Sequence, residues 1–103
     1  MRPATADAEI VSALRAAGAM QDTLILFVAD HGESLGEHDY WFEHGRHAYE
    51  ATCRVPLIIR LPDNFPDRPE PGIRDADVSL VDLAPTLTEL LSLPPAPPPP
   101  PPP

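Results

Sequence analysis

The last ten residues, Pro94 to Pro103, are proline apart from Ala96, and such a run joins neither a helix interior nor a strand ladder. Whatever folds must come from about ninety residues, a size at which a domain buries only roughly 60–70% of its unfolded surface. The core is marginal. Residues 94–103 read as a disordered polyproline tail; docking into an aromatic-lined groove of an SH3 or WW domain is the other use of such a segment. Pro62, Pro66, Pro69, Pro71 and Gly72 mark residues 62–76 as a surface loop. Pro85 fixes the start of the last helix: Asp82 as N-cap puts it at the third helical position, where a missing N–H had no partner anyway. Leu83, Leu87, Leu90 and Leu91 then share the side expected to be buried.

The rest of the chain is arranged around residues 23–61. Leu24 to Ala29 is an apolar block of strand length without alternation, which is how a strand covered on both faces reads. Asp30 and His31 follow directly, and Gly32 lets the backbone turn sharply behind them. Ligands bind at the carboxyl ends of strands in open α/β sheets, so this pair stands where chemistry is usually done. Residues 5–17 read as a helix with Ile10, Leu14 and Ala17 on one packing stripe, Asp7 and Glu9 at its amino end and Gly18 as its stop. Residues 30–45 read as a functional loop rich in His, Glu and aromatics. Arg46 to Thr52 suit a turn or two of helix, and Val55 to Leu61 a second strand with Pro56 near its beginning.

Sixteen acidic residues against seven basic ones give a net charge of −9, which argues against a nucleic-acid backbone as partner. Surplus carboxylate serves either cation binding or an ordinary charged surface. Cys53 is the single cysteine, so no internal disulfide forms and the redox compartment cannot be read. Met1 to Asp7 lacks the apolar stretch of a signal peptide and no run approaches membrane-span length, so the expectation is a chain without its own export address or membrane segment.

Asp30 and His31 offer one hard oxygen and one imidazole nitrogen, a mixed set that suits Zn²⁺ or Mn²⁺ better than Ca²⁺. His44 is a candidate to contact an anion or protonate a leaving group, because imidazole titrates near neutrality, or it is a surface histidine. His38 either approaches substrate or orients the loop; His47 reads as exposed. Glu33 and Glu37 suit supporting or capping roles better than ligation. Trp41 and Phe42 either wall an apolar pocket or simply pack.

The ordered string Asp30-His31-Gly32-Glu33, Leu35-Gly36-Glu37-His38, the aromatics Tyr40 to Phe42, His44, and Tyr49-Glu50 followed by Arg54-Val55-Pro56-Leu57-Ile58-Ile59 resembles the sulfatase family of the alkaline-phosphatase-like superfamily. The resemblance covers residues 20 to 93 and implies a fragment of an α/β domain with mostly parallel strands flanked by helices, so that residues 1–93 form a partial catalytic domain. It also implies hydrolysis of sulfuric esters, a divalent metal on Asp30 and His31 that is usually calcium, and contact of His38 and His44 with the sulfate-ester substrate. Many sulfatases place lysine thirteen residues after the metal Asp; that offset here falls on Glu43, with His44 one later. The family's nucleophile is a formylglycine made within Cys/Ser-x-Pro-x-Arg. Cys53 is followed by Arg54, Val55 and Pro56 and does not fit, nor does any serine, so these residues by themselves are expected to be inactive. Asp-His-Gly-Glu-Ser-Leu-Gly-Glu with His44-Gly45 also resembles phosphoethanolamine transferases and phosphatase-like members of the superfamily. Arg54 to Ile58 and Asp82 to Thr86 favour the sulfatase side.

Overall fold

The computed structural model describes residues 6–98; positions 99–103 of the proline tail and residues 1–5 lie outside the described residues. The chain divides into two units, one ending at Pro71 and one beginning at Gly72.

In the first unit, helix α1 spans Ala6–Ala16, with Asp7 and Glu9 in its first turn and Arg15 in its last, each matched to the helix dipole. It ends as expected: Gly18 takes the left-handed conformation at φ 68°, which costs a glycine nothing. The packing expected of its apolar stripe is not seen. No residue of α1 is buried and Ile10 is 60% exposed, because the described residues supply no layer over that face.

Strand β1, Ile25–Val28, pairs with the strand at Leu57–Arg60, called β4 after the two intervening strands described below; Ile25 faces Arg60 and Val28 faces Leu57. Pro56 sits just ahead of β4, where its missing N–H costs no ladder bond. The pair is antiparallel, as is every strand pair among the described residues, so the expected parallel arrangement is not what these residues build among themselves. Phe27, Ile58 and Ile59 remain substantially exposed, so β1 is not covered on both faces here either.

A polar staple closes this unit. The Arg60 guanidinium donates to the carbonyl of Met20 at 3.1 Å and to Asp63 Oδ1 at 2.6 Å, while Arg68 donates to the same carboxylate oxygen at 3.0 Å. The Asp63 and Asn64 N–H groups donate to the carbonyls of Met20 and Gln21, tying the turn before β1 to the segment after β4. Among the described residues, Met20 is the buried apolar side chain at the centre of this unit.

The loop expected over 30–45 contains a small hairpin: β2, Ser34–Leu35, pairs antiparallel with β3, Trp41–Glu43, across a tight turn at Glu37–Asp39. Its chain reversal uses positive φ at Gly36 and left-handed backbone at His38 and Asp39, which lack glycine's freedom, and Phe42 within β3 is left-handed as well. Helix α2, Glu50–Cys53, follows and is shorter and later than the turn expected over 46–52. Gly32 does not turn the chain by a positive φ, as the sequence suggested. It is glycine because α2 crosses it: an added Cβ would collide with the carbonyl oxygen of Ala51, and the Gly32 N–H donates to the carbonyl of Thr52 at 2.8 Å.

In the second unit, a tight turn at Leu80–Asp82 leads into helix α3, Leu83–Leu90, which places Pro85 at the third helical position as expected. Asp82 is the N-cap by position but makes no side-chain capping bond. Leu83, Leu87 and Leu90 are half-buried and Leu91 is exposed, so the expected buried side is only partly realised. The carboxyl end closes with Ser92 left-handed at φ 51°, its N–H on the Glu89 carbonyl and the Leu93 N–H on that of Thr88, the paired bonds of a Schellman motif. No helix among the described residues is long and apolar enough to cross a membrane.

Substituting Gly32→Ala is expected to destabilise the 30–53 segment by about 1–3 kcal/mol, since the clash is with backbone and cannot be relieved by a rotamer. Amide exchange at Gly32 and Thr52 reads it: protection falls in the variant while α1 and α3 are unchanged.

Candidate functional site

Asp30 lies two residues past the end of β1, and the backbone N–H of His31 donates to its Oδ1 at 2.9 Å, which folds that carboxylate back toward its neighbour. The His31 ring lies with Nδ1 2.8 Å from the Gly32 carbonyl oxygen. A carbonyl only accepts, so Nδ1 carries the hydrogen and Nε2 is left with the free lone pair of the neutral ring. That Nε2 stands 3.7 Å from Asp30 Oδ1, with the His31 and Asp30 side chains 43% and 89% exposed, respectively. Oxygen and nitrogen donors therefore lie side by side and open to solvent. No third His, Cys, Asp or Glu joins them as a metal-holding group among the described residues.

His44 directly follows β3, and its ring stacks on that of His31 with centroids 3.9 Å apart and planes 18° from parallel. Its Nδ1 is 3.0 Å from Glu33 Oε1. The hairpin thus brings His44 against the Asp30–His31 pair, with Glu33 behind it. His38 lies in a second group of rings: it stacks on Tyr49 at 4.0 Å, and His47 lies 4.4 Å from Tyr40 and 5.5 Å from Tyr49. His47 is exposed as expected, yet it belongs to this ring group.

Thr52 and Ser34 lock the two sides of the loop together. Thr52, 8% exposed, has its hydroxyl within 3.0 Å of the His47 carbonyl and 2.9 Å of the Tyr49 carbonyl. Ser34, 3% exposed, has one hydroxyl hydrogen to give, and its nearest acceptor is the Tyr40 carbonyl at 2.9 Å. Glu37 caps the hairpin turn: its Oε2 accepts from the Leu35 N–H at 2.7 Å. Its own backbone N–H, then that of Leu35, hold the carboxyl below the usual range; lost hydration works the other way, and the Ser34 hydroxyl and His38 add smaller depressions.

Trp41 and Phe42 are 64% and 75% exposed, and the Trp41 ring lies over Gly36. A small recess with room for about one water molecule, roughly 10 Å³, lies among Ser34, Tyr40, His44, Arg46 and Tyr49, and neither Trp41 nor Phe42 lines it. Sequence reasoning gave Glu33 no partner and Arg46 and Tyr49 no place at the site. The available signal was the alternation of acid and imidazole at Glu33 and His44, legible only once the hairpin register is known. Cys53 is an exposed free thiol.

The Sulfatase family model matches residues 7–93. A choline-sulfatase of Rhizobium meliloti is 36% identical over 85 residues, covering 82% of this chain and 15% of that protein. Arylsulfatase K of Bos taurus is 35% identical over 91 residues, covering 84% of this chain and 15% of its own length. An arylsulfatase of Clostridium perfringens is 37% identical over 84 residues, with 80% of this chain and 17% of the relative covered. The chain thus spans only 15–17% of the length of these curated relatives. No solved structure matches it.

The Leu35 N–H bond to Glu37 favours the ionised carboxylate. Because its pKa is depressed on folding, its stabilising contribution is complete at neutral pH and is lost as pH falls through that depressed value. The Leu35 amide shift, followed by NMR in acid, is expected to report this transition below the ordinary carboxylate range, and Glu37→Gln is expected to abolish it.

Proposed function

Because the chain belongs to the sulfatase family, we propose that residues 30–44 form one wall of a sulfuric ester hydrolase active site, in which Asp30 and His31 hold a divalent cation and His44 serves the departing oxygen. The observation carrying this reading is the juxtaposition of Asp30, His31 and His44 at the open end of β1.

The donor set fits part of a metal site. A metal-ligating histidine commonly donates its other N–H to a carbonyl or carboxylate, and His31 Nδ1 stands against the Gly32 carbonyl in that way. Two donors fall short of the four or more that a bound cation takes, so in this reading the remaining ligands come from the rest of a catalytic domain. When bound, the cation supplies Lewis-acid charge opposite the sulfuryl oxygens. Family resemblance favours calcium; an oxygen beside an imidazole nitrogen also suits zinc or manganese.

This chain's own residues do the following. Asp30 and His31 bind and orient, their backbone fixed by the crossing of Gly32 and α2. His44 gives a proton to the departing alcohol or holds a sulfate oxygen, in either case through the nitrogen that Glu33 leaves free. Of the two roles open to His38, substrate contact or loop orientation, its stack on Tyr49 supports the second. The formylglycine nucleophile has no counterpart in residues 1–103, where Cys53 precedes Arg54 and Val55 rather than x-Pro. Turnover therefore requires a nucleophile from elsewhere, and residues 1–103 alone do not hydrolyse sulfate esters. The uncovered apolar face of β1 and β4 belongs, in this reading, against further strands of an α/β domain, parallel ones included.

A chimera tests the proposal. Residues 7–93 replace the matching segment of the Clostridium perfringens arylsulfatase, and hydrolysis of an aryl sulfate and the corresponding aryl phosphate is measured. Sulfate hydrolysis is expected, with Asp30→Ala or His31→Ala lowering kcat/KM by at least about 100-fold, the upper range for disturbing even the supports of a metal ligand. A chimera active on sulfate and indifferent to both substitutions sinks the reading. Preference for the phosphate ester assigns the segment to phosphoryl transfer instead.

A further inference from the structure

We propose that Glu33 is a positioning residue for His44, fixing its imidazole so that Nε2 alone is free to exchange a proton with a bound ester. The inference deepens the preceding reading and rests on His44 being the group that serves the departing oxygen.

Three independent features of the chain converge on it. The first is register. Ser34 pairs with Glu43 at the mouth of the hairpin, so continuing that antiparallel ladder by one position sets residue 33 opposite residue 44. Side chains at directly opposed positions are close enough to interact, and the Nδ1 to Oε1 distance of 3.0 Å is the result.

The second is chemistry. An ionised carboxylate accepts hydrogen bonds and donates none. With Glu33 Oε1 at Nδ1, the hydrogen of a neutral ring resides on Nδ1 and the lone pair on Nε2, and a cationic ring keeps Nε2–H as its only uncommitted donor. The same logic holds the His31 ring through the Gly32 carbonyl. Two stacked imidazoles therefore each have Nδ1 engaged by the protein.

The third is restraint. A hydrogen bond alone leaves a ring free to pivot about it, but the face of His44 rests on His31 at 3.9 Å, which limits its plane as Glu33 limits its tautomer. Glu33 is itself held at its root, because the adjacent Gly32 is pinned to the Thr52 carbonyl and Ser34 on its other side is buried. Both side chains of the pair stay partly open, at 50% for His44 and 39% for Glu33, so a substrate can reach the ring from the free side.

The test is long-range proton–nitrogen correlation NMR on the whole chain at about pH 8.5, where histidine rings with ordinary pKa values are neutral. The expected wild-type spectrum shows His44 as the Nδ1–H tautomer. Glu33→Ala is expected to lose that signature, with His44 reverting to the Nε2–H form that water favours, while His38 and His47 keep their patterns. Wild-type His44 already in the Nε2–H form overturns the proposal, and so does an Nδ1–H signature that survives in Glu33→Ala. If Glu33→Ala does not fold, Glu33→Gln takes its place, with loss of the Nδ1–H preference on removal of the charge expected and its full retention overturning the proposal. Because neither metal nor ester is needed, this result is separable from the chimera: an inactive chimera with an Nδ1–H His44 removes the hydrolase reading and leaves the pairing intact.

Discussion

The crossing of Gly32 under α2 is the contact on which the candidate site depends. A single 2.8 Å hydrogen bond from the Gly32 N–H to the Thr52 carbonyl joins the start of the loop to its end, and only a residue without Cβ permits the approach. Thr52 extends the same joint sideways, its hydroxyl reaching the His47 and Tyr49 carbonyls. Asp30 and His31 lie on one side of this joint and Glu33 on the other. Their positions are thus set by backbone contacts that no rotamer change can loosen.

What holds the first unit is hydrogen bonding more than apolar burial. Ser34, Thr52 and the Arg60 staple satisfy polar groups that span long loops, whereas Met20 is the buried apolar side chain of its core. Buried polar groups fully paired in this way specify a geometry well but supply little net stability each, on the order of 1 kcal/mol. The exposed surfaces of α1, β1 and β4 are where hydrophobic burial is lacking. This is the pattern of a segment that spans 15–17% of the proteins it resembles.

The sequence was most informative where a residue type admits few conformations. Gly18 as a helix stop and Pro85 as a marker of the α3 start both landed where expected, since a left-handed glycine and a first-turn proline leave little choice. Asp30 and His31 lie together and open, as their place after an apolar block implied. The hairpin within 34–43 was not legible: Gly36 takes a positive φ at its turn, but the two residues at the tip, His38 and Asp39, are not the Asn-Gly pair that marks a tight reversal, and Phe42 is left-handed inside β3. Without the hairpin, Glu33 and His44 are eleven residues apart and have no reason to meet. The apolar block at 24–29 misled in another way: it records the layer a strand is suited to, and the described residues do not include one. Gly32 was read for the wrong freedom, conformational where the need is steric.

The bare face of the β1–β4 pair has a colloidal consequence. Phe27 and Ile58 present aromatic and branched surface on one side and Ile59 on the other, beside strand edges left unpaired among the described residues, the combination through which strands coalesce between molecules. Opposing this is mutual repulsion from a net charge of −9 carried mostly by carboxylates. Acidification toward the isoelectric point near 4.6 discharges that repulsion while leaving the apolar surface untouched, so that surface becomes a seed for clumping.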